Sequence, residues 1–151
     1  MAFRFPLQAL LRLRATLTRQ EEIRLEAVSQ KLAAARRQRE LLLEYRRQFE
    51  AKLTADMKKG AAAGEVQLRF TGRRGLAEAN QKLNQTIMAL ERAWQEQQQV
   101  FLEAKQSQEV LETVRDGQLA LYLEDRRRRD QQTVDDLFLA GMNRARAEQK
   151  R

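Results

Sequence analysis

A single interruption constrains this chain more than any other feature. Gly60, Gly64, Gly72 and Gly75, out of six glycines in all, fall close together near its middle, and the long stretches on either side hold almost no helix breaker. The one proline, Pro6, stands where a first helical turn tolerates it. The pattern predicts a first helix over 6–58, a tip or connection over 59–75 and a second helix over 76–141. A short helical turn is expected around Val66, Leu68 and Phe70, and a disordered basic tail over 142–151. Two long helices joined once must bury their apolar stripes on each other. The expected fold is therefore all-α, a long antiparallel two-helix coiled-coil hairpin with residues 1–151 as one unit.

Composition agrees with a thin seam rather than a thick core. Charged residues make up 33% of the chain and aromatics 6%, a mixture typical of long paired helices. The chain has neither cysteine nor histidine. It therefore lacks a thiol nucleophile, a disulfide framework and the commonest general base and metal ligand. The carboxylates that remain are not gathered into one place, so neither catalysis nor a cofactor is expected. A net charge of +8 and a pI near 10.4 fit an acidic partner, a membrane surface or nucleic acid. Arg12 and Arg14 interrupt the apolar stretch Leu7 to Leu13, which is too short for the core of an export signal. No segment approaches the roughly eighteen apolar residues of a membrane span. A cytoplasmic protein is expected.

The first helix carries a seam at 3-4 spacing through Leu25, Val28, Leu32, Ala35, Arg39, Leu42, Arg46, Phe49 and Leu53. Arg39 and Arg46 occupy core-type positions, with stems able to pack while their heads reach outward. Leu7, Leu10, Leu11, Leu13 and Leu17 form a denser cluster that fits no single register. Gln38, Leu42, Tyr45 and Phe49 share one stripe at 4-3-4 spacing, in which Leu42 and Phe49 already belong to the seam and Tyr45 lies on its shoulder. The second helix reads through Leu76, Leu83, Ile87, Leu90, Trp94, Gln97, Phe101, Ala104, Gln108 and Leu111, then slips to Val114 and Leu121. Gln97 and Gln108 imply a loosely packed or partner-facing stretch, and Gly117 weakens the helix by about 1 kcal/mol.

Near the end, Arg126 to Arg129 make the strongest local charge feature and go all round a helix. A fold-back about residue 66 would bring them near Arg4, Arg12 and Arg14, gathering positive charge at the open end. Val134, Leu137, Phe138 and Leu139 follow as a short apolar patch.

The opening Phe3-Arg-Phe-Pro-Leu-Gln-Ala-Leu-Leu-Arg-Leu-Arg14 resembles the start of many FliJ proteins of the bacterial flagellar export apparatus. Leu42-Leu-Glu-Tyr45 with Phe49, Leu53 and Asp56-Met57 is similar to that family's first-helix signature. Arg129-Asp-Gln-Gln with Asp135-Asp136 is similar to its C-terminal basic-acidic segment. The resemblance covers essentially the whole chain. It implies a stalk-like antiparallel coiled coil, similar to the central stalk of rotary ATPases, whose open end enters the hexameric ring of the flagellar export ATPase. It also implies contact with the export gate protein FlhA and with empty export chaperones.

Carried over residue by residue, the gate-binding surface falls on Gln38, Leu42, Tyr45, Phe49, Leu76 and Ala79. The family has an aromatic four residues before Leu76, where this chain has Gly72, and Leu83 replaces a polar position. Contact with the ATPase ring is expected through Leu7, Leu11, Arg12, Arg14 and Arg126, Arg127, Arg128 and Arg129. The partners implied are the ATPase hexamer and its regulator, FlhA and export chaperones. Location would be cytoplasmic, at the flagellar base beside the inner membrane, with the membrane reached only through partners. The equivalent stalk of a virulence secretion system shares this architecture, although the Phe-Pro-Leu-Gln start favours the flagellar one. A basic coiled coil bound to nucleic acid is the rival of another class, but basic residues scattered among glutamates do not make the contiguous basic helix of a zipper.

Overall fold

A computed structural model describes residues 3–149. Two α-helices, α1 (Gln8–Lys58) and α2 (Ala63–Gln149), account for nearly all of them, with no strand among the described residues. The chain is an all-α helical hairpin. Its contacts divide into two compact units, Leu17–Ala104 and the termini Met1–Thr16 with Lys105–Arg151.

The connection is far shorter than the glycine spacing predicts. Only Lys59 to Ala62 separate the two helices. Gly60 takes a left-handed φ of 81°, which glycine adopts without steric cost. The amide of Gly60 donates to the carbonyl of Met57 (3.2 Å) and that of Ala61 to Asp56 (3.3 Å). These paired bonds form a Schellman cap that satisfies carbonyls α1 would otherwise leave open. The carbonyl of Ala62 then accepts from Glu65 (3.0 Å) and Val66 (3.1 Å) to start α2. Glu65 places negative charge in the first turn, where the helix dipole favours it.

Helix α2 thus begins at Ala63 rather than Leu76, and Gly64, Gly72 and Gly75 lie inside it. Each costs about 1 kcal/mol of intrinsic propensity relative to alanine. This stretch makes contacts with α1: Arg69 donates to Asp56, and Arg73 Nε lies 2.8 Å from Glu50 Oε1. These pairs centre the fold near Ala61 and Ala62, not residue 66. The expected tail is also helical as far as Gln149, and 142–149 contains no breaker. Lys150 and Arg151 lie outside the described residues.

Within Leu17–Ala104 the two helix segments run antiparallel: Glu21 meets Gln97, Arg36 meets Glu91 and Glu50 meets Arg73. Every seam position predicted on α1 from Leu25 to Leu53 is buried or half-buried, as is every one on α2 from Leu76 to Leu111. The tightest packing is Leu32, Ala35 and Ile87, with Leu83, Leu90 and Trp94 against them. Ile87 is 3% exposed. Arg39 and Arg46 are half-buried in the seam, and Arg39 Nε and Asn80 Oδ1 are enclosed without a hydrogen-bond partner. Gln97 does not loosen the seam. Its amide reaches Glu21 Oε2 at 2.6 Å and so ties the helices in register.

In the unit made by the termini, Phe5 and Leu11 are buried and the ring of Phe3 lies 5.6 Å from that of Tyr122. The slip to Val114 and Leu121 does not occur: both are exposed, Leu121 at 68%, while Arg115, Leu119 and Tyr122 turn inward. The non-helical Phe3–Pro6 segment carries two aromatic rings, which meet α2 where regular helix pairing would have used Val114 and Leu121. Past Tyr122 every described residue of α2 is exposed.

Candidate functional site

Two surfaces collect the side chains expected to make contacts, each within one compact unit. The first lies in Leu17–Ala104. Gln38, Tyr45 and Ala79 are exposed, whereas Leu42, Phe49 and Leu76 are half-buried. The seam therefore takes part of three of the six predicted gate-binding side chains. Tyr45 is 58% exposed, in keeping with a position on the shoulder. Tyr45 and Phe49 line an open groove of about 690 Å³ with Gln48, Lys52, Asp56 and Arg69. Gln38, Leu42, Leu76 and Ala79 do not line it.

Two observations explain the local shape. A Cβ at Gly72 would sit 3.1 Å from Phe49 Cζ. The Phe49 ring therefore fills space that a side chain at 72 would need. Nearby, the guanidinium of Arg69 donates a hydrogen bond to Asp56 and holds its carboxyl below the usual range, with Lys59 and Lys52 adding to the effect and burial opposing it. Gln48 and Lys52 were missed as site residues, although their spacing from Tyr45 was visible in the sequence.

The second surface lies in the unit made by the termini. Arg12 lines an open groove of about 830 Å³ with Phe3, Arg4, Phe5, Gln8, Arg115 and Leu119. Arg115 is paired with Asp116 at 2.9 Å. Leu7, Arg12 and Arg14 are exposed, as are Arg126 to Arg129. Leu11 is not: at 5% exposure it is a packing residue that no partner reaches in the closed unit. Arg126 to Arg129 come after Tyr122, beyond the reach of the Phe3–Pro6 segment along α2, and Arg129 is held by Asp125 at 2.6 Å. Glu124, Asp125, Asp130, Asp135, Asp136 and Glu148 balance Arg126 to Arg129, Arg144 and Arg146, so the end of α2 carries mixed charge rather than a positive block. The opening aromatics Phe3 and Phe5, which line this groove, belong to no helical period, and in the sequence only the family resemblance marks them.

No group of acidic side chains suited to a metal ion occurs among the described residues. No helix among them is long and apolar enough to cross a membrane.

A thin seam between two long helices, with polar residues inside it, defines an all-α helical hairpin. The family model for the flagellar FliJ protein matches residues 3–149, and the chain belongs to that family, with a role associated with flagellar export. Comparison with curated proteins and with solved structures returns no match.

Proposed function

We propose that this protein is the stalk and coupling component of the flagellar export apparatus. In this reading it engages the ring of the export ATPase and its regulator through the unit made by the termini. The export gate FlhA is contacted through the shoulder at Tyr45, and empty export chaperones are escorted to the gate for reuse. Its role is contact rather than catalysis, at the cytoplasmic face of the membrane and through partners.

The observation that carries the reading is the family match over nearly the whole hairpin, without an added domain between residues 3 and 149. The arrangement of side chains supports it physically. Leu7, Arg12, Arg14 and Arg126 to Arg129 are exposed, and although Arg129 is paired with Asp125, the guanidinium groups would steer association with acidic loops electrostatically. A helical pair inserted in a ring meets successive subunits differently, and so can bias nucleotide cycling.

The test is stimulation of ATP turnover by the purified flagellar ATPase. Replacing Arg126, Arg127, Arg128 and Arg129 with alanine should weaken stimulation, most strongly at low salt, while helix content is kept. Unchanged stimulation across salt concentrations would remove these arginines from the coupling surface. Loss of gate capture by Tyr45→Ala, with an unchanged melting temperature, would support the second contact. A marked fall in stability would place Tyr45 in the core instead.

A further inference from the structure

Helix α1 carries two parallel stripes. The seam runs through Arg39, Leu42, Arg46, Phe49 and Leu53, all buried or half-buried. One residue earlier at each step run Gln38, Leu41, Tyr45, Gln48 and Lys52, and every one of these is exposed. The 3-4-3-4 spacing sets them on one face, about 100° round the helix from the seam. Leu41, 71% exposed, is one turn from Tyr45. The two form an i,i+4 apolar pair that continues into the groove lined by Tyr45, Phe49 and Lys52.

The charges on this face have one sign to offer. Arg37, one turn before Leu41, makes no ion pair, and neither does Lys52 at the other end, although its field reaches Asp56. Asp56 is already bonded to Arg69. Glu44 is held by Arg47 at 3.0 Å and receives a hydrogen bond from Gln48 at 3.2 Å. Glu44 and Asp56 are thus engaged within the chain, while the cations at the two ends of the stripe are not; Glu40, exposed and next to Leu41 in sequence, stands about 100° round the helix from it.

We infer that the stripe Gln38-Leu41-Tyr45-Gln48-Lys52 is a docking face for an amphipathic acidic segment, with Leu41 and Tyr45 as its apolar anchors and Arg37 and Lys52 as its electrostatic ends. The inference rests on the gate reading of this shoulder and gives the gate's contact a chemistry: carboxylates flanking an apolar side chain. Leu41, rather than the half-buried Leu42, is the leucine such a segment covers. A helix laid along the face with anchors one turn apart matches the usual helix-in-groove mode. The cationic ends set its direction and association rate.

The experiment measures affinity of the full-length protein for two probes: the cytoplasmic domain of the gate, and a synthetic helical peptide bearing leucines flanked by glutamates. Leu41→Ala should weaken binding of both about tenfold with an unchanged melting temperature. Arg37→Glu and Lys52→Glu should each weaken it several-fold at low salt, an effect that fades as salt is raised. Leu68→Ala, another exposed leucine on α2, should bind as the unsubstituted chain does. If Tyr45→Ala lowers gate affinity but Leu41→Ala and the charge reversals do not, the acidic docking face is overturned and the gate reading stands. If the unsubstituted protein fails to bind the gate domain, the gate reading is lost, and the peptide alone decides. Loss of peptide binding with Leu41→Ala supports the face, and equal binding by all variants overturns it.

Discussion

The helix α2 is paired along one part of its length and unpaired along another, and the two parts use similar residues to opposite ends. Around Ile87 the chain buries an isoleucine almost entirely against Leu32 and Ala35, with Leu83, Leu90 and Trp94 closing round it. Beyond Tyr122, Val134, Leu137, Phe138 and Leu139 are as apolar as that cluster, yet all four are exposed. Both segments are helical, so intrinsic propensity does not distinguish them. The presence of an opposing helix does. Most helical stability in proteins comes from packing an apolar face, and a helix alone in water is marginal.

Ile87→Ala gives the largest contrast: truncation at the tightest point should cost about 2–5 kcal/mol, enough to melt a hairpin with so thin a core. Leu137→Ala should change stability by less than about 0.5 kcal/mol. Thermal unfolding followed by circular dichroism checks both, and equal losses would dissolve the contrast. Amide hydrogen exchange gives the second test. Protection should be strongest from Leu83 to Trp94 and should fall steeply after Tyr122, where opening disrupts no tertiary contact.

The glycines sharpen the same contrast on a smaller scale. At Gly75 and Gly117 an added Cβ would meet nothing within 4 Å, so Gly75→Ala and Gly117→Ala should each stabilise by about 0.5–1 kcal/mol. Gly72→Ala should gain less than either or lose, because the Phe49 ring must first give way. The smallest effect concerns pH. Asp56 has a lowered pKa when folded, so its bond from Arg69 stabilises the hairpin above the usual carboxylate range. That contribution fades as acid takes the pH down through the lowered value. The stability difference between the unsubstituted chain and Asp56→Asn should therefore be present near neutral pH and vanish in strong acid.

The seam from Leu25 to Leu53 and from Leu76 to Leu111 was legible in the sequence, because 3-4 spacing of apolar side chains reports directly on which face is buried. The connection was not. Four glycines look alike in a sequence, but only Gly60 has a left-handed backbone, and the others lie inside α2 beside ion pairs to α1 that no local signal announces. The slip predicted at Val114 and Leu121 failed for a related reason. Phe3, which meets Tyr122 there, and the buried Phe5 lie outside any helix and follow no period. Of the contact residues, Tyr45 and the arginines could be recognised as exposed. Leu11 could not be told from Leu7 without knowing which of them faces α2.

The tight cap at Gly60 has a consequence for how such a chain tolerates change in length. With only Lys59 to Ala62 between the arms, the bend has no slack to take up an extra residue. One residue inserted within either arm would rotate everything beyond it by about 100°. Ile87 would swing toward solvent and Gln97 would lose Glu21. Insertions of whole heptads, matched in both arms, are the additions that leave the zipper in frame.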